Sequence, residues 1–204
     1  MKGSRPPFKQ ALTMMVILSA LSLGFLFWAE RLSHNNIAEN DARHEQALWG
    51  EVLGFSPNDP SLGKIEQQCL DFKDSATGFC FYKVMAEGST LAILVPVTAP
   101  KGYNGPIQLL VGIHRAGFIT GVRVIHHQET PGLGDLIEAN KSSWIQSFKG
   151  ASLEKPNPTA WSTRREGGAF DAFTGATITP RAIIETLKKT LEQVNLHHAE
   201  IFNP

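Results

Sequence analysis

The chain has 204 residues, with nineteen basic and nineteen acidic side chains, 42% hydrophobic residues and two cysteines. That length allows one ordinary domain or two small ones, and the composition excludes a disordered or collagen-like chain. Two thiols cannot supply the four that a cysteine-held iron–sulfur cluster or an all-cysteine zinc site needs, and zero net charge leaves no electrostatic footprint for nucleic acid.

The charge balance hides an asymmetry. Residues 1–29 hold Lys2, Arg5 and Lys9 and no acid, so the remainder of the chain is acidic. No residue from Gln10 to Ala29 is charged, and Ala11–Ala29 as a helix would be roughly 28 Å long, close to the thickness of a hydrocarbon core. A cleavable signal peptide would have a shorter apolar region followed by a small-residue cleavage site. Phe25, Phe27, Trp28 and Glu30 stand there instead, and no cysteine precedes Cys69 to accept a lipid. The expectation is a cytoplasmic N-terminus at 1–10, an uncleaved transmembrane anchor at 11–29, and everything after Glu30 outside, which in a bacterium is the periplasm.

The segment 30–60 is expected to be a membrane-proximal helical stretch, since Asn35–Gly54 is polar with scattered Ile37, Ala47, Leu48 and Val52. Short apolar runs bounded by turn residues follow at Leu70–Phe72, Phe79–Val84, Leu91–Val97, Ile107–Ile113 and Phe118–Ile125, and read as strands of one domain over 61–204. The last two are separated by His114-Arg115-Ala116-Gly117, a hairpin-length connection, so at least part of the sheet is antiparallel. Cys69 and Cys80 lie on the first two strands. With Asp74 and Ser75 as the turn they fall opposite one another, at a distance that permits a disulfide; two separately buried thiols are the alternative.

Two long connections remain, Gln128–Asp135 and Lys155–Thr174, where function usually sits. The first contains Gly-Leu-Gly after a strand, but a dinucleotide-binding turn needs a third glycine where Ile137 stands. His126, His127 and Glu129 are better explained by ring stacking, loop hydrogen bonds or plain solvent exposure than by a metal. The glycines there serve as backbone that lets N–H groups approach a flat or anionic ligand. After the second connection, Thr179-Pro180 reads as an N-cap followed by N1, and Ile183, Ile184, Leu187, Leu191 and Val194 mark one helical face. Thr177 then sits just before a helix N-terminus, where a phosphate would meet unpaired N–H groups and the positive end of the dipole. A plain loop and cap would also account for these residues. No Gly-x-Ser-x-Gly or other hydrolase set is present.

Asp171-Ala172-Phe173-Thr174-Gly175-Ala176-Thr177 resembles the flavinylation motif, Asp-x-x-(Ser/Thr)-Gly-Ala-Thr, of bacterial FMN-binding domains in ion-pumping respiratory complexes. Glu129-Thr130-Pro131-Gly132-Leu133-Gly134 is similar to the family's second signature, which lies near the flavin. The two motifs in this order, behind one outward-facing anchor, extend the resemblance over most of the chain. The short length and the run Thr174–Ala182 resemble the G-subunit family of Rnf (Rsx) complexes, ferredoxin:NAD type; the C subunit of the sodium-pumping NADH:quinone oxidoreductase is the alternative, and a flavin-free membrane-tethered scaffold a second.

The resemblance implies an α+β fold: a transmembrane helix, then a periplasmic FMN-binding domain with a largely antiparallel sheet flanked by helices. It implies FMN joined to Thr177 through a phosphoester bond made by a flavin transferase that uses FAD and magnesium. Thr174, Gly175, Ala176, Glu129, Thr130, Gly132, Leu133 and Gly134 become expected cofactor neighbours, and Asp171 a residue read by the transferase. It implies partners too: membrane subunits including a second flavinylated one, and iron–sulfur subunits. No residue need act as a catalytic acid or base, because the cofactor does the redox work.

Overall fold

Helix α1 (Phe8–Leu53), strands β1 (Leu62–Leu70), β2 (Phe79–Ala86), β3 (Ser89–Ala99), β4 (Ile107–His114) and β5 (Ile119–His126), and helices α2 (Ile178–Leu196) and α3 (His198–Phe202) follow one another along the chain. The structure is a computed structural model that describes residues 8–54, 62–70, 79–86 and 88–203. Two compact units are separated, 1–46 and 47–204. In the first, the side chains from Leu12 to Trp28 are exposed, apolar ones included. Among the described residues no helix is long and apolar enough to cross a membrane.

In the second unit the strands form a single sheet in the order β1-β2-β3-β4-β5, every neighbouring pair antiparallel. The meander is what short connections between sequential strands dictate. Gly117 closes the last hairpin at φ +81°, its N–H donating to His114 O at 2.8 Å. The first strand differs from expectation. It occupies Leu62–Leu70 rather than Leu70–Phe72, and residues 71–78, including the expected Asp74-Ser75 turn, lie outside the described residues. Its sequence, LGKIEQQCL, lacks an apolar run because it is an edge strand, exposed from Glu66 to Cys69. Cys69 and Cys80 are register partners on β1 and β2, and their sulfurs are bonded.

Alternation along the strands makes two apolar layers. Phe81, Ile93, Val95, Leu109, Val111 and Ile113 face Ile183, Leu187, Leu191 and Val194 of α2, together with Ile201 and Phe202 of α3. Each such side chain fully removed from water contributes about 1.5–3 kcal/mol. The opposite face, with Tyr82, Val84, Ala92, Leu94 and Leu110, is covered by Trp49, Val52 and Leu53 at the end of α1. β3 is therefore buried on both sides, which is why Ala92–Val95 is continuously apolar.

The end of α1 lies against a notch in the sheet. Gly112 and Gly121 are cross-strand partners on β4 and β5. A Cβ on Gly121 would stand 2.6 Å from Val52 O, so the two glycines admit helix backbone where side chains would exclude it. Gly54, at φ +75°, then ends the helix, its N–H donating to Gly50 O at 2.9 Å.

Residues 128–177 are less loop-like than the sequence suggests. They contain four 3-10 turns, at Gly134–Ile137, Trp144–Phe148, Pro158–Ala160 and Arg164–Glu166. Trp161 and Phe170 are buried, and Phe170 stacks on Phe148 at 4.6 Å between ring centroids. This long connection wraps the α2 side of the core and delivers Thr177 to the start of α2.

Candidate functional site

Thr177 stands at the N-cap of α2, not two residues before it. The expected N-cap, Thr179, lies inside the first turn, with Pro180 next to it. The reason is a contact fifty residues away in sequence. Thr179 is fully buried and its hydroxyl donates to Glu129 Oε2 at 2.5 Å, so it is not engaged with helix N–H groups. Thr177, at φ −87° and ψ −22°, makes no side-chain capping bond either. Its hydroxyl therefore remains available beside the N–H groups of the first turn, which no helix carbonyl can take up.

Glu129 organises the surroundings. It is 5% exposed, and its second oxygen, Oε1, accepts from the Asn104 backbone N–H at 3.1 Å. Its own N–H donates to His127 Nδ1 at 3.0 Å. One buried carboxylate thus ties α2, the turn before β4 and the loop after β5. Gly134 permits this, because a Cβ there would lie 2.6 Å from Glu129 Oε2. Thr130 O accepts from the N–H groups of Leu133 and Gly134, both at 3.1 Å, which folds the Glu129–Gly134 stretch into a tight turn with Gly132 at φ +77°. His127 Nε2 lies 3.0 Å from Glu138 Oε1, whose carboxyl is held below its ordinary range chiefly by the ammonium of Lys141, and His126 is exposed at the end of β5. Among the described residues no cluster suited to a metal ion occurs.

Between these elements lies a cleft of about 380 Å³ lined by Tyr103, Glu129, Thr130, Leu133, Gly134, Gly175, Ala176, Thr177, Ile178 and Thr179. A slightly larger hollow, of about 420 Å³, is bordered by α2 and β3 and contains no residue of either motif. The first cleft combines a polar floor (Glu129, Thr130, Thr179) with exposed apolar walls, Leu133 and Ile178, each 44% exposed. Gly175, at φ +84°, turns the chain so that Ala176 and Thr177 meet the cleft without a bulky neighbour. Size, apolar walls and a few convergent polar groups suit a flat cofactor with a phosphate end.

The structure brings seven of the expected residues to this cleft, Glu129, Thr130, Leu133, Gly134, Gly175, Ala176 and Thr177, and leaves three outside its lining. Gly132 shapes the turn. Thr174 is exposed. Asp171 pairs with Arg164 Nε at 2.9 Å on the surface, while its carbonyl accepts from Trp144 Nε1 at 2.8 Å. Tyr103, Ile178 and Thr179 line the cleft without having been expected there. For Tyr103 and its neighbour Asn104 the only signal was a turn-rich stretch, Pro100–Pro106, between two strands.

The sequence profile of the FMN-binding domain family matches residues 102–192, a span that takes in both motifs, the lining of this cleft and most of α2. Similar proteins extend the match over nearly the whole chain. The G subunit of the ion-translocating oxidoreductase complex of Vibrio vulnificus is 37% identical over 199 residues, 96% of this chain and 92% of its own. The proteins of the same name from Cronobacter sakazakii and Shewanella oneidensis are 39% and 48% identical, over 86% and 79% of this chain and 84% and 78% of their own. The chain belongs to the G-subunit family of ion-translocating oxidoreductase complexes.

Proposed function

We propose that this chain is the flavin-bearing subunit of such a complex and relays electrons through FMN held covalently by Thr177, in support of ion translocation across a bacterial inner membrane. The observation that carries the reading is the Thr177 hydroxyl: uncapped, at the positive end of α2 and on the lining of the flavin-sized cleft. A transferase needs an alcohol oxygen that no backbone group already occupies, and the neighbouring threonines serve less well. Thr179 is bonded to Glu129, and Thr174 lies outside the lining.

Bound FMN supplies the redox chemistry, and the protein places the ring and sets its potential. The phosphoester tether keeps the local flavin concentration high where free FMN would be lost by dilution. The remaining elements of the proposal are the anchor at 11–29, a periplasmic position for the domain, partner subunits that include a second flavinylated membrane subunit and iron–sulfur proteins, and a flavin transferase that reads Asp171. The names of the relatives favour this assignment over the C subunit of the sodium-pumping NADH:quinone oxidoreductase.

The test is peptide mass mapping of protein co-produced with a flavin transferase. Thr177→Val keeps the shape and removes the hydroxyl, and it should abolish flavin attachment with the fold intact, whereas Thr174→Val should not. Flavin retained in Thr177→Val, or found on a peptide lacking residue 177, would overturn the assignment.

A further inference from the structure

We propose that Tyr103 supplies the aromatic surface on which the flavin ring rests, an inference that itself rests on attachment at Thr177. Tyr103 is the single aromatic residue on the lining of the cleft and is 66% exposed. Its ring has neither a hydrogen bond nor an aromatic partner among the described residues. Holding an exposed tyrosine in place costs backbone entropy that its own burial does not offset.

The segment that carries it is nevertheless fastened. Asn104 donates its backbone N–H to Glu129 Oε1 at 3.1 Å and its Nδ2 to Thr130 Oγ1 at 3.0 Å. At Gly102 a Cβ would come within 2.9 Å of Glu129 Oε1 and closer still to Gly105 O, so the backbone is seated directly on the carboxylate. The two residues that anchor the segment, Glu129 and Thr130, are the floor of the cleft. The backbone that carries the ring is thereby fixed relative to the surface that receives the cofactor. The other apolar walls, Leu133 and Ile178, are aliphatic, so Tyr103 alone offers a π-face, and a flat heteroaromatic ring gains more from such a face than its buried area accounts for.

The experiment uses the full chain co-produced with a flavin transferase as wild type, Tyr103→Leu and Tyr103→Phe. Mass mapping of the peptide containing Thr177 comes first: a wild-type peptide without flavin would sink the attachment reading, whatever Tyr103 does. With flavin attached, emission lifetime and visible absorption are measured on each protein, both independent of the degree of loading. A phenol in contact shortens flavin emission, and a benzyl or isobutyl group does not. The expected result is a short dominant lifetime in wild type that lengthens several-fold in both variants, with an absorption band that shifts in Tyr103→Leu and stays near wild type in Tyr103→Phe. Equal lifetimes in wild type and Tyr103→Phe would overturn the proposal, and that comparison stands even if Tyr103→Leu folds poorly.

Discussion

A methyl group at position 134 has nowhere to go: it would lie 2.6 Å from Glu129 Oε2 and 2.9 Å from Glu129 Cβ. The carboxylate cannot withdraw without giving up its bonds to the buried Thr179 hydroxyl and to the Asn104 N–H. Gly134→Ala should therefore destabilise the domain by about 1–3 kcal/mol, the usual cost of overpacking, and lower flavin loading as the cleft shifts. Urea unfolding with parallel flavin quantification checks both; wild-type stability in the variant would mean that Glu129 is not the tie described. The same residues show what the sequence conceals. The motif singles out Thr177, but Thr-Pro is a strong local start signal and makes Thr179 look like the helix cap. The partner that withdraws it, Glu129, lies far away in sequence, and only the fold brings the two together.

The loop after β5 carries a charged group of its own. Lys141 Nζ lies 2.9 Å from Asp135 Oδ2 and 2.5 Å from Glu138 Oε1. The Lys141 ammonium holds both carboxyls below their ordinary range, and the two carboxylates, Glu138 first, raise Lys141. A carboxyl whose folded pKa is depressed adds stability above its unfolded pKa, and that stability disappears as pH falls through the folded value. The difference in thermal midpoint between wild type and Lys141→Met should accordingly be present at neutral pH and shrink below about pH 4. A difference that stays constant down to pH 2 would assign the effect of Lys141 to packing rather than charge.

At the scale of elements, the sheet is legible wherever an apolar run coincides with a strand. β2 to β5 begin and end within about two residues of the expected runs because their burial leaves short apolar runs in the sequence. β1 is nearly invisible, since a polar edge strand carries no such record. The face of α2 follows directly from Ile183, Ile184, Leu187, Leu191 and Val194. The glycine notch does not, because Gly112 and Gly121 read as weak points in strands until the α1 end is seen above them. Gly121→Ala would place a Cβ 2.6 Å from Val52 O and 3.0 Å from Val52 Cα, and backbone cannot yield as a side-chain tip can. The last turn of α1 must then lift, exposing Trp49, Val52 and Leu53 and loosening the Arg123–Glu51 pair at 2.7 Å. Equilibrium unfolding should show a loss of about 1–3 kcal/mol, with the Trp49 environment changed in fluorescence. A variant as stable as wild type would mean that the helix end does not depend on the notch.

For the molecule as a whole, the disulfide and the topology are linked by compartment. A bond between Cys69 and Cys80, separated by 11 residues, constrains the unfolded chain by about 3 kcal/mol in the loop-entropy account. Such a bond persists where the surroundings are oxidising, which is the side of the membrane on which the domain is proposed to stand. Thiol labelling of the unfolded, unreduced protein should therefore modify neither cysteine, and reduction should lower the denaturation midpoint; labelling of both without reductant would remove the bond from the native protein. Orientation is tested independently. Lys2, Arg5 and Lys9 precede the apolar segment and Glu30 follows it, and basic residues are retained on the cytoplasmic side. Alkaline phosphatase, which needs disulfides to be active, should consequently be active when fused after residue 204, and a fluorescent reporter that matures only in the cytoplasm should stay dark at the same position. The opposite pattern would place Thr177 on the cytoplasmic face, and a shortened, soluble fusion product would show that residues 11–29 are cleaved instead of retained.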